Sequence, residues 1–218
     1  TRIPSSAASD VYKRQTSSYA PAPKNALNKG ARAKRLLKSL LDPRAYLHML
    51  KIVNYYNYSH VQPMRIIKHG PMLEVSPDVV FSNPERIEIG SRVQIGSRCH
   101  LWAGHAGGKI VIGDDVLFGP EVMVTAANYR FNDGHPVTKQ LMDEADITIG
   151  NDVWFGTRAI VLAGSTIGDG AIIGAETIVR GDIPAMSIAV GQPAKIVGKR
   201  EIKSPDAAST SHTNGGDS

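Results

Sequence analysis

Residues 149–180 read IGNDVW FGTRAI VLAGST IGDGAI IGAETI VR, and Ile149, Phe155, Val161, Ile167, Ile173 and Val179 stand six apart without a slip. Neither the 3.6-residue period of an amphipathic helix nor the plain alternation of a surface strand produces that spacing. Glycine follows the large apolar residue at Gly150, Gly156, Gly168 and Gly174, and a smaller inward residue recurs at Val153, Ala159, Ala171 and Thr177. Short strands joined by a turn every sixth residue imply three flat faces per coil with the aliphatic residues stacked inward, and the glycines are expected to supply corners with φ > 0.

The same hexad appears upstream in Ile89-Gly90 with Val93, Ile95-Gly96 with Cys99, Ile112-Gly113 with Val116, and Phe118-Gly119 with Val122 and Val124. Two excursions break the register, Trp102–Lys109 and the longer Asn128–Thr148. Loops that leave a rigid repeat are where chemistry is usually mounted.

Composition agrees with a glycine-cornered, strand-rich domain. The 218 residues include 21 Gly and 6% aromatics, with 42% hydrophobic and 21% charged residues. Disorder throughout is excluded. A formal charge of +5 does not by itself make a nucleic-acid binder, and no nucleic-acid partner is expected. One cysteine, Cys99, excludes an internal disulfide, and no stretch approaches the ~18 consecutive apolar residues of a spanning helix. Cys99 takes a small inward position and reads as inert core filler.

Outside the repeat the chain divides by composition. Residues 1–15 show no period and resemble translated adaptor DNA, and residues 16–30 read as a polar linker. Residues 31–72 read as an N-terminal helical cap, 73–202 as the repeat domain, and 203–218 as a disordered tail. Leu36, Leu37, Leu40 and Leu41 share one helical face opposite Lys34, Arg35 and Lys38, which predicts a basic amphipathic helix over 31–41. Asp42-Pro43 then reads as an N-cap and first helical residue of a second helix towards Tyr56. The basic helix packs on the main domain or makes a peripheral membrane contact with anionic lipid.

The hexads resemble those of the hexapeptide-repeat transferases. That resemblance, not the spacing, implies an all-β fold, a left-handed parallel β-helix. The terminal run Gly181-Asp182-Ile183-Pro184 to Gln192-Pro193-Ala194-Lys195, together with Asn151-Asp152-Val153-Trp154-Phe155-Gly156, is similar to the maltose, galactoside and polysaccharide O-acetyltransferases. The resemblance implies acetyl-CoA as donor, bound in a groove between subunits of a homotrimer, and a sugar or glycan acceptor. Carried over by position, Thr157 and Ala175 line the pantetheine channel and Trp154 borders the donor site. Arg180 matches a donor-binding position, although Gly181 stands where Lys is common. Lys195 faces the CoA phosphates, supported by Lys199 and Arg200.

Acyl transfer also needs a base for the acceptor hydroxyl. The family keeps a His after an Asn at the start of the second excursion, whereas this chain reads Asn128-Tyr129-Arg130-Phe131-Asn132-Asp133-Gly134-His135-Pro136. A phenol titrating near 10 is about a thousandfold less available as a base at pH 7 than an imidazole. Three readings stay open: His135 swings into the vacated place, Tyr129 contacts the acceptor beside Asn128, or the protein keeps the scaffold without the activity. His105 and Asp133 are candidate acceptor contacts, and Asp143, Glu144 and Asp146 read as a solvated acidic patch. His100 and His105 resemble part of the zinc site of γ-class carbonic anhydrases, but no third His falls in register, and no metal is expected. The expectation is a cytoplasmic O-acetyltransferase, at the inner membrane face if the basic helix touches lipid.

Overall fold

The computed structural model describes residues 29–202. The expected adaptor-like and linker segments up to residue 28, and the tail from 203, lie outside the described residues. The described residues divide into two units, 29–51 and 52–202, the boundary falling within the second helix.

In the first unit, α1 spans Lys29–Leu40, so Lys29 and Gly30, assigned by composition to the linker, are helical. The Asp42 carboxylate accepts the Arg44 amide at 2.9 Å, and Pro43 opens α2 (Pro43–Tyr56). The side chain satisfies an amide that has no partner inside the helix, and proline has no amide to leave unpaired. Neither helix buries any residue.

In the second unit a π-turn (Asn57–Val61) and the short α3 (Pro63–Ile66) lead into the repeat. The protonated Nδ1 of His60 donates to the Val79 carbonyl at 2.8 Å, and its ring lies 6.1 Å from that of Phe81. The first coil holds β1 (Lys68–His69), β2 (Glu74–Val75) and β3 (Val80–Ser82). The second holds β4 (Ile87–Ile89), β5 (Gln94–Ile95) and β6 (His100–Trp102). The third holds β7 (Ile110–Ile112), β8 (Leu117–Phe118) and β9 (Met123–Thr125). A hairpin of β10 (Ala127–Tyr129) and β11 (Met142–Glu144) interrupts. The fourth coil is β12 (Ile147–Ile149), β13 (Trp154–Phe155) and β14 (Ile160–Leu162). The fifth is β15 (Thr166–Ile167), β16 (Ile172–Ile173) and β17 (Ile178–Val179), before β18 (Ser187–Val190) and β19 (Lys195–Lys199).

Strands in corresponding places stack in parallel. The first face is β1-β4-β7-β12-β15, the second β2-β5-β8-β13-β16-β18, and the third β3-β6-β9-β14-β17. This is the left-handed parallel β-helix the resemblance implied. On the second face β19 turns back antiparallel against β18 and covers what would be an open edge.

The hexad residues form one column of core. Ile89, Ile95, Ile112, Phe118, Ile149, Phe155, Val161, Ile167, Ile173 and Val179 are all buried. Each contributes roughly 1.5–3 kcal/mol by leaving water. The Phe118 and Phe155 rings stack at 4.8 Å and 11°.

The corners differ from expectation. Glycines directly after the inward residue do not carry the positive φ; that falls two residues on, at Arg92, Arg98, Asp115, Glu121, Asp152, Arg158 and Glu176, with φ of 54–62°. Their amides explain why side-chain-bearing residues accept that conformation. Asp115 N donates to Ser91 O at 2.9 Å, Glu121 N to Ser97 O at 2.8 Å, Arg158 N to Pro120 O at 3.0 Å and Glu176 N to Thr157 O at 2.9 Å. Each hydrogen bond carries the ladder around the corner, offsetting strain of about 1–3 kcal/mol. The glycines serve close approach instead: a Cβ on Gly96 or Gly119 would stand 2.8 Å from the carbonyl oxygen of Phe118 or Phe155 on the next coil.

Candidate active site

Both excursions leave from the corner between the third and first faces, one after β6 and the other after β9. They are tied to one another by an acidic side chain. The Glu144 carboxylate accepts the amides of His105 at 2.8 Å and Ala106 at 3.1 Å, and also that of Gly107. The Gly107 amide is the largest cause, with those of His105 and Ala106 and the charge of Arg86 adding to it, that holds this carboxyl below its ordinary value. Asp146 accepts the Lys109 amide at 2.7 Å, and Asp143 pairs with the Arg130 guanidinium at 2.6 Å. The acidic run expected to be a solvated patch is therefore a set of three fasteners.

Between the loops lies an open cavity of about 670 Å³. Tyr129 and His105 line it together with the polar arms of Arg130 and Gln140 and the apolar Leu141 and Met142. Tyr129 is positioned by the hairpin, where it faces Met142 across the ladder while Asn128 faces Asp143. His135 and Asp133 do not line the cavity. They belong to the exposed hairpin tip, where Gln140 bridges them: its amide donates to the His135 carbonyl, and its oxygen accepts the Asp133 amide at 3.1 Å. The structure thus puts Tyr129 and His105 on the wall of one cavity and leaves His135 off it. Glu144, Arg130 and Gln140 were not recognised as site residues from sequence. Leu141-Met142-Asp143-Glu144 sets two apolar residues before two acidic ones and shows no alternation, so nothing local marks the strand that brings them in.

The donor-side candidates occupy a different corner. Thr157 lies between β13 and β14, and Ala175 in the equivalent place one coil on, both exposed at the corner between the second and third faces. The segment before β19 continues that edge. Gln192 donates to the Glu176 carbonyl at 2.8 Å and the Ala194 amide to the Ile178 carbonyl at 2.8 Å, which seats Lys195 at the end of the row. Trp154 is half-exposed on the second face, between Leu117 and Ile172. Arg180 departs from this group, because it follows β17 at the corner the loops leave from. Arg200, expected to support Lys195, is bonded to Asp152 at 2.7 Å.

His100 stands in β6 and His105 in the loop, and among the described residues no group of three His, Cys, Asp or Glu side chains converges on a metal-sized site.

Comparison with known proteins matches residues 146–181 to the bacterial transferase hexapeptide family, a motif of six repeats. The chain is 31% identical over 167 residues to the galactoside O-acetyltransferase of Escherichia coli K12, covering 69% of this chain and 77% of that one. It is 31% identical over 121 residues to WbbJ of the same organism, named for lipopolysaccharide biosynthesis O-acetyl transfer, covering 52% of this chain and 60% of that one. A solved galactoside acetyltransferase in complex with coenzyme A superposes with a TM-score of 0.60 at 28% identity, over 73% of this chain and 82% of the other.

Proposed function

The chain belongs to the hexapeptide-repeat acetyltransferases, and from that premise we propose that it transfers an acetyl group from acetyl-CoA to a sugar hydroxyl in surface-polysaccharide or lipopolysaccharide assembly. The observation that carries this reading is the open cavity of about 670 Å³ at the Tyr129 hairpin. Its wall mixes hydrogen-bonding arms with apolar side chains, which suits a sugar ring.

The chemistry requires a base to take the hydroxyl proton as the oxygen attacks the thioester carbon. The C–O bond forms, the C–S bond breaks, and the proton passes to the leaving thiolate to give free CoA thiol. His105 is the imidazole lining the cavity and serves as that base, while Tyr129 orients the acceptor; Asn128, the neighbouring strand residue, is not on the cavity wall. Thr157 and Ala175 leave room for the pantetheine arm along their edge, and Lys195 meets the phosphates about two coil spacings, roughly 10 Å, further on.

The functional unit is a homotrimer. Outward residues on the second face include Leu117, Trp154, Ile172 and Ile188, and on the third Met123, Ile160 and Ile178. The first face presents Glu88, Val111, Thr148 and Thr166. Two apolar faces sharing one edge suit closed three-fold packing, and the donor places the reaction in the cytoplasm.

The test is thiol release from acetyl-CoA with a panel of free and carrier-linked sugars. His105→Ala is expected to lower turnover by ~10²–10⁴ while CoA binding persists. If His105→Ala is silent and His135→Ala abolishes turnover, the base is His135. If no sugar releases thiol and Tyr129→His does not restore release, the chain is a scaffold with the ancestry alone.

A further inference from the structure

The helices α1 and α2 carry an exposed apolar face. Leu36, Leu37, Leu40 and Leu41 are 63, 60, 55 and 71% exposed, and Leu47, Leu50 and Val53 are exposed to a similar degree. Leu36, Leu37 and Leu40 fall within about a third of the helical circumference, with Arg32, Lys34, Arg35 and Lys38 on the remainder. Over residues 29–51 the basic residues are Lys29, Arg32, Lys34, Arg35, Lys38, Arg44 and Lys51, against Asp42 as the single acid.

That combination selects the occupant. Leucines in such numbers gain by leaving water, so the face has a partner. A second copy of these helices would set seven cations against seven. An acidic protein groove would need carboxylates along both rims, because Arg32 and Lys34 flank the leucines on either side. An anionic lipid surface satisfies both features: leucines enter the acyl boundary, and the cations on either side meet headgroups. No described helix is long and apolar enough to cross a membrane, so the segment lies in the interface plane.

We propose that residues 29–56 form an amphipathic anchor that binds the full chain reversibly to anionic phospholipid surfaces. The anchor is independent of the acetyl-transfer reading and stands or falls separately.

Flotation with vesicles tests it directly, using phosphatidylcholine alone and phosphatidylcholine mixed with phosphatidylglycerol. The full chain is expected to float with the mixed vesicles and to be released by high salt. Reversing Lys34, Arg35 and Lys38 to Glu is expected to lower partitioning on the order of a hundredfold. A second variant, Leu36→Gln with Leu37→Gln and Leu40→Gln, keeps every charge and is expected to lower it comparably. Because these positions are exposed, circular dichroism should show both variants folded. Equal binding to neutral and anionic vesicles overturns the proposal, as does unchanged binding by either variant. Should the leucine variant instead alter only the sedimentation coefficient, the face is a contact between copies and the lipid assignment falls.

Discussion

Gly156 has no room for a side chain: a Cβ there would stand 2.5 Å from the Ala175 amide nitrogen on the next coil. Since that atom is backbone, the neighbour cannot rotate away, and Gly156→Ala should cost about 1–3 kcal/mol in denaturant unfolding. Because Ala175 belongs to the proposed donor edge, the same variant should weaken CoA binding in titration calorimetry; unchanged stability would mean the coils separate freely. Cys99 illustrates a residue whose role was legible from its place in the hexad alone. It is buried, its Sγ donates to the Gly119 carbonyl at 3.2 Å, and burial pushes the thiol up to about 11. The thiolate that alkylating agents need is therefore scarce at neutral pH, and iodoacetamide should label the native protein only as fast as it unfolds. Labelling that matches free cysteine would place Cys99 outside the core. Tyr129 is a mixed case, since its departure from the family is plain in sequence and His105 is legible as an acceptor contact, whereas His135, the expected replacement imidazole, lies off the cavity.

At the scale of elements, the corners explain how charged residues come to sit in a left-handed conformation. Arg98, Glu121, Arg158 and Glu176 stack along one edge in alternating sign, with Arg158 reaching Glu121 at 2.7 Å and Glu176 at 3.4 Å. At the neighbouring edge Arg92 holds Asp115 at 2.6 Å. The hexad period made the faces legible because it is local; the αL residue was not, because no residue type marks it. Its conformation is set by hydrogen bonds to a coil eighteen or more residues away in sequence. The same carboxylates give a pH dependence. Hydrogen bonds from Arg158 and Arg98 hold Glu121 below its ordinary 4.5, Arg92 holds Asp115 below 3.8, and Ser97 with the Arg98 amide lowers Asp78. With folded values depressed, their stabilisation is present above the ordinary carboxylate range and is lost as pH falls through the folded values. The melting temperature should hold from pH 7 to about 5 and fall below about 4, less steeply at high salt for these exposed pairs. Glu144 belongs to the same set, but its partners are backbone amides, so Glu144→Gln should free the His105 loop. Faster hydrogen exchange at His105, Ala106 and Gly107 is the expected readout, and unchanged protection would remove Glu144 as the fastener.

For the whole molecule, the division between corners is what no spacing could reveal. His105 and Glu144 meet across 39 residues because two insertions happen to leave the same corner, and the third face separates that corner from the edge of Thr157 and Ala175. A single chain therefore carries the proposed acceptor cavity and the proposed donor edge on different corners, and a three-fold arrangement would bring the loops of one copy against the edge of the next. Mixing inactive chains distinguishes this from a site completed within one chain. Take His105→Ala as one partner, lacking the proposed base, and Lys195→Glu as the other, placing a like charge where the donor phosphates are proposed to lie. Each homotrimer should be nearly inactive in thiol release. After co-refolding at equal amounts, about a quarter of interfaces would combine an intact loop with an intact edge, and activity should recover to about that fraction of the unsubstituted protein. If each site is built from one chain, every mixed particle contains only defective sites and no activity returns. A variant that weakens the donor edge without touching the charge, such as Ala175→Trp, should complement His105→Ala in the same way. Failure of both pairs, with trimers shown to form by sedimentation, would return the donor and acceptor residues to a single protomer and would require the loops to fold across the third face.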